Sequence, residues 1–152
     1  MIDRKVAALY GAILIAGLGP RIAGATLGEP EASIKADVSQ LQGSITVTDR
    51  TAYRVHEIQL SSGTLVREFV APDGQVFAIA WKGPTIPNLR QTLGKYFDNY
   101  VTAAQSRHGG HTHLQIQQSD LVVQAGGHMR AFSGRAYLPQ ALPSGVSVGD
   151  LH

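Results

Sequence analysis

The chain has 152 residues, 43% of them apolar and 16% charged, and no Cys. That balance excludes a disordered or fibrous polypeptide and a disulfide-stapled miniature, and leaves one globular domain held by packing alone. The formal charge of +2 belongs to the first 25 residues: without them Lys+Arg falls from 13 to 10 (Arg4, Lys5, Arg21) and Asp+Glu from 11 to 10 (Asp3), so a nucleic-acid partner is not expected.

Residues 1–25 read as a cleavable export signal. Arg4 and Lys5 form a positive start, Val6 to Leu18 is an uncharged apolar run, and Ala23-Gly24-Ala25 is a small-residue cleavage pattern. A run of about 13 apolar residues is shorter than the roughly 20 that a helix needs to cross a bilayer. The expectation is a mature chain from Thr26, periplasmic or secreted, with no integral membrane segment after cleavage.

From Thr26 onward the pattern predicts one domain over residues 26–138 and an extended or mobile tail over 139–152. Pro30 to Leu41 reads as a short amphipathic helix, with Ile34, Val38 and Leu41 at helical spacing. Ile45 and Val47 alternate with polar neighbours as a short strand. Three β-rich runs follow, YRVHEIQL, TLVREFV and QVFAIAW, separated by Ser61-Ser62-Gly63 and Pro72-Asp73-Gly74. Each separator is a three-residue loop ending in Gly, where a left-handed residue is needed, so the runs predict an antiparallel meander. Its register follows: Leu60 opposite Thr64, Ile58 opposite Val66, Glu57 opposite Arg67, His56 opposite Glu68. Carried forward by simple alternation, one face holds Val55, Leu65, Phe69, Phe77, Ile79 and Trp81, and the other Ile58, Val66, Val70, Val76, Ala78 and Ala80. Both are apolar, so both call for a cover.

Thr85 to Ala104 reads as the main helix, with Leu89, Leu93, Tyr96, Phe97, Tyr100 and Ala104 in one stripe. Gly94 inside it costs about 1 kcal/mol against Ala and suggests close approach to the sheet. After the link Arg107-His108-Gly109-Gly110, His111 to Gln118 alternates as a strand with Leu114 and Ile116 inward. Ser119-Asp120 and Gly126-Gly127 are read as turns flanking Leu121–Ala125. The fold class expected is α+β: an antiparallel sheet, made of a three-strand meander and C-terminal hairpins, packed by one main helix with a short N-terminal helix.

Several of these runs carry a resemblance. They are Tyr53–Leu60, Gly63-Thr64, Val66–Val70, Pro72-Asp73-Gly74, Val76-Phe77-Ala78, Trp81–Pro84, Gly94–Phe97, Gly126–Phe132 and Arg135–Pro139. Together they resemble a family of exported proteobacterial proteins classed only as a domain of unknown function. The resemblance implies an export signal and a Gram-negative origin, and no activity, cofactor or catalytic residue.

For chemistry, His108, His111 and His113 are the candidate metal ligands. Residues i and i+2 share a strand face, and neutral imidazoles suit Zn²⁺ or Cu²⁺. The plainer reading is a solvated strand edge rich in His and Gln. His128, placed beyond a Gly126-Gly127 turn, is expected on the Leu114 face, away from His113. The pairs Glu57/Arg67 and His56/Glu68 could serve acid–base chemistry, but charges across a hairpin are more often structural. No nucleophile elbow and no phosphate loop is present. The aromatics at helical and strand spacing read as core. The function expected is a non-enzymatic exported envelope protein, a small binding or assembly module whose partner is an envelope protein or a second copy of itself. The alternatives are a periplasmic metal-binding protein and an uncharacterised hydrolase using His56, Glu57 and Glu68.

Overall fold

Alternation in the strand-rich middle of the chain builds one seven-stranded antiparallel sheet in the computed structural model, which describes residues 26–34, 38, 43–106 and 113–152. The strands are β1 (Ser44–Asp49), β2 (Arg54–Gln59), β3 (Leu65–Val70), β4 (Val76–Gly83), β5 (His113–Gln117), β6 (Val122–His128) and β7 (Ala131–Tyr137). Their order across the sheet is β1-β2-β3-β4-β7-β6-β5, so the C-terminal hairpins extend the meander. Residues 32–34 are helical and are labelled α1; residue 38 is helical as well. α2 (Leu89–Leu93) and α3 (Phe97–Gln105) follow β4. With helices this short, the α+β expectation holds in outline: an antiparallel sheet with a thin helical layer on one side. The export signal expected at 1–25 and the link at 107–110 lie outside the described residues.

The meander register is the one the loops dictate. Ile58 faces Val66, Glu57 faces Arg67 and His56 faces Glu68, and the Leu60 amide donates to the Thr64 carbonyl. Gly63 and Gly74 close their loops at φ 87° and 83°. The simple alternation fails one strand later. Val70 pairs with Val76, but Phe69 pairs with Ala78, so Phe77 is an extra residue in β4. A bulge of one residue exchanges the two faces for everything beyond it. Ile79 and Trp81 therefore join Ile58, Val66, Val70 and Val76 in one cluster, while Phe77, Ala78 and Ala80 join Val55 and Phe69 in the other.

The first cluster is the helix face. Leu27, Ile34 and Leu93 are fully buried against it, and Tyr96, Phe97 and Tyr100 pack at its margin. The expected single helix over 85–104 starts later and is broken. Asn88 caps α2 by accepting from the Gln91 amide, worth about 1 kcal/mol. Gly94 then takes φ 50°, and three residues of 3-10 helix separate α2 from α3. The close approach at Gly94 is to Thr26, whose methyl group a Cβ would overlap, and not to the sheet. Segment 26–31 is threaded there between α2 and the β3–β4 hairpin: the Leu27 amide donates to the Thr92 carbonyl and the Gly28 amide to the Val76 carbonyl.

The second cluster is the tail face. Tyr53, Phe69 and Phe77 stack as a tilted trio with centroids 5.8–6.3 Å apart. Where the sequence suggested an extended or mobile tail, residues 139–152 lie across this face through two short 3-10 turns (Pro139–Ala141 and Val148–Asp150), with Leu151 only 1% exposed. The cover that this face calls for is thus supplied, in part, by the chain itself.

Candidate functional site

On the tail face the register lays side chains out in rows. One row runs Leu65, Lys82, Ser133, Gly126, His113 across β3, β4, β7, β6 and β5. The next runs Arg67, Ala80, Arg135, Gln124, Gln115. In the first row two residues with little or no side chain, Ser133 and Gly126, lie between the long side chains of Lys82 and His113. The result is a groove of about 670 Å³, bounded by both rows, by His128 and Ala131 at the β6–β7 end, and by Leu151 and His152 of the tail.

His128 reaches this groove because β6 does not turn at Gly126-Gly127. It runs on to His128, and the hairpin closes through Met129 and Arg130, so His128 pairs with Ala131. Since His113 pairs with Gly126, two residues before His128, both imidazoles stand on the same face. The expectation that His128 lies away from His113 is corrected by that turn. No turn residue announces it, since Arg130 itself adopts φ 66°, a left-handed conformation rare outside Gly. Of the three expected metal ligands, His113 lines the groove, and His108 and His111 lie outside the described residues. Among the described residues no group of three or more His, Asp or Glu is placed to hold a metal ion.

The groove wall is built from two guanidinium clamps. Arg67 donates through Nε to Glu57 at 2.6 Å and through Nη1 to the His152 carbonyl at 2.8 Å. Arg135 donates through Nε to the Gln124 side chain at 2.8 Å and through Nη1 to the Val148 carbonyl at 2.7 Å. Each guanidinium is aimed through Nε by one sheet neighbour and reaches a tail carbonyl through Nη1, which suits the rigid fork of Arg. Leu151 packs on the face between them with Ala80. Glu57 and Arg67 are each about one-third exposed, so their pair is a partly screened tether.

The acid–base candidates are split between the two faces. His56 is 2% exposed and Glu68 fully buried, both on the helix face, while Glu57 stands on the tail face with Arg67. The His56 ring bonds through Nε2 to the Glu31 carboxylate at 2.8 Å. Glu31 also receives Arg54, whose hydrogen bond is the main reason its carboxyl is held below the ordinary carboxylate range, with His56 adding to it against a desolvation cost. Asp49 and Glu31 together raise the already high Arg54 value. Glu57 therefore stands on the opposite side of the sheet from His56 and Glu68, which face each other across β2 and β3 and are both buried. The aromatics act as core: Trp81 is 3% exposed and lies over Gly134, where a Cβ would overlap its ring. Burial raises the Tyr100 hydroxyl.

No helix among the described residues is long and apolar enough to cross a membrane. A family model described as "Protein of unknown function (DUF2844)" matches residues 23–151. No curated protein and no solved structure matches the chain.

Proposed function

We propose, for a chain that belongs to the DUF2844 family, that it is a non-enzymatic exported protein acting as a small binding module, with the groove on its tail face as the binding surface. One observation carries this reading. The sheet face that the tail leaves open is a concave site floored by Gly126 and Ser133, in a domain whose paired His56 and Glu68 are buried on the other face. Concave, mixed polar and apolar sites of this size are where small ligands bind. Export rests on the charge, length and small-residue flank of residues 1–25, and the address it implies is the periplasm or beyond of a Gram-negative cell. An envelope protein could use the same groove for a short segment of its own chain.

The test is native mass spectrometry of the protein purified from its own envelope. The expected result is a chain starting at Thr26 with a bound small molecule that is lost in Ser133→Phe, a variant that fills the groove. A bare chain with no adduct, in both proteins, contradicts the reading.

A second reading is favoured by one specific observation: His128 joins His113 on the tail face. Diagonal neighbours on adjacent strands have Cβ atoms roughly 7–8 Å apart or less, within reach of one Zn²⁺ or Cu²⁺ if a third ligand is supplied. Calorimetry with each ion decides it: binding lost in His113→Ala and in His128→Ala supports it, and binding unchanged in both ends it.

A further inference from the structure

We infer that the ligand of this groove is a small amphipathic oxyanion, a carboxylate or phosphate on a short apolar body, its head held chiefly by Lys82 with Ser133 and its body running over Gly126 toward His113. The inference rests on the binding reading above and names its ligand class.

The charge distribution carries it. Beyond residue 25 the chain has ten basic and ten acidic residues, yet the groove is lined by Arg67, Lys82 and Arg135 and by no Asp or Glu. Two of these cations are already engaged: Arg67 with Glu57 and a tail carbonyl, Arg135 with Gln124 and a tail carbonyl. Lys82, between Leu65 and Ser133 in its row, is exposed and makes no ion pair among the described residues. A single unengaged ammonium, with the Ser133 hydroxyl opposite it on the next strand, offers donors to an acceptor-only group.

Position along the row sets the ligand's size. Adjacent strands are about 4.8 Å apart, so three strand spacings separate the Lys82 and His113 backbones by roughly 14 Å. Only Ser133 and Gly126 lie between them. An anionic head beside Lys82 leaves room over Gly126 for several carbons. Leu65, Ala80, Ala131 and Leu151 supply apolar contacts at the groove's edges. A lone inorganic ion would leave that apolar surface unused, and a cation would face three positive side chains, of which only Arg67 carries a paired carboxylate, Glu57.

The test is calorimetry on the full mature chain with four probes of one length: hexanoate, hexyl phosphate, hexanol and hexyltrimethylammonium. Lys82→Gln and Ser133→Phe serve as variants, with circular dichroism to show that both are folded. Hexanoate or hexyl phosphate is expected to bind, and Lys82→Gln is expected to weaken it about tenfold, the size of one charge-assisted hydrogen bond. Ser133→Phe is expected to abolish it. If hexanol and hexyltrimethylammonium bind as well as the anions, with Lys82→Gln unchanged and Ser133→Phe inactive, the anion inference is overturned and the binding module stands. If no probe binds, both fall. Co-sedimentation with phosphatidylglycerol vesicles separates a free ligand from a lipid headgroup. No sedimentation is expected, and sedimentation without binding of hexyl phosphate overturns the inference.

Discussion

The two faces of the sheet are covered by different means. On the helix face, Ile58, Ile79, Trp81 and Val123 meet α2, α3 and the threaded segment 26–34, and large side chains close the space. On the tail face the side chains are smaller beyond the Tyr53–Phe69–Phe77 trio, and the cover is an irregular segment fastened by the buried Leu151, the partly buried Leu142, Val146 and Val148, and two guanidinium groups. Apolar burial is non-directional and closes whatever it can reach, whereas hydrogen-bonded tethers hold a cover at chosen points and leave gaps between them. A sheet packed like the helix face on both sides would have no groove. The difference assigns stability to one side and, in the proposed function, recognition to the other.

The largest expected effect lies on the helix face. Trp81→Ala removes a ring that is 3% exposed and lies over Gly134, and should cost about 3–5 kcal/mol in urea unfolding. A loss below 1 kcal/mol would mean that this face is not the main core. Leu151→Ala, on the other face, should cost about 2 kcal/mol, because a tail end can settle into the space it leaves. It should also raise amide hydrogen exchange across 139–152 and leave exchange in β2 and β3 unchanged. Equal losses for the two variants would erase the contrast between the faces.

The contrast was only partly legible in the sequence. The meander register could be read because each loop ends in a glycine that must be left-handed, which fixes the offset of one strand on the next. The bulge at Phe77 could not, because Val76, Phe77, Ala78, Ile79 and Ala80 are all apolar, and a run buried on both faces carries no alternation to reveal a one-residue slip. The groove was hidden by the same kind of ambiguity. Gly126-Gly127 has the composition of a turn but lies within β6, while the true turn, Met129-Arg130, has none of it. Placing the turn three residues early sent His128 to the wrong face. The tail's role had no periodic signal, since Leu151 and the carbonyls of Val148 and His152 reach the sheet at irregular spacing.

Smaller effects sharpen the comparison at its margins. Glu31 tethers the threaded segment to His56 and Arg54 on the helix side. Its carboxyl is held below the ordinary range, mainly by Arg54. The stability it contributes is therefore fully present above the ordinary carboxylate value and is lost as pH falls through the folded one. Glu31→Gln keeps the shape and removes the charge, so its unfolding free energy should lie below wild type at pH 7 and approach it by pH 3. A gap that stays constant over this range would contradict the tether. Arg130→Gly should be the mildest change. It relieves a left-handed non-glycine residue at the exposed β6–β7 turn at some cost in unfolded-state entropy, for a net gain of about 0.5 kcal/mol. A destabilised variant would show that the Arg130 side chain holds the hairpin.

The most direct measurement is a two-dimensional amide NMR titration of the mature chain with hexyl phosphate. The expected shifts cluster on the tail face, at Lys82 in β4, Ser133 in β7, Gly126 and His128 in β6 and His113 in β5, with Leu151 and His152 moving alongside. Shifts centred instead on α2, α3 or segment 26–34, or none at millimolar ligand, would contradict a division of labour in which the helix side holds the fold and the tail side binds.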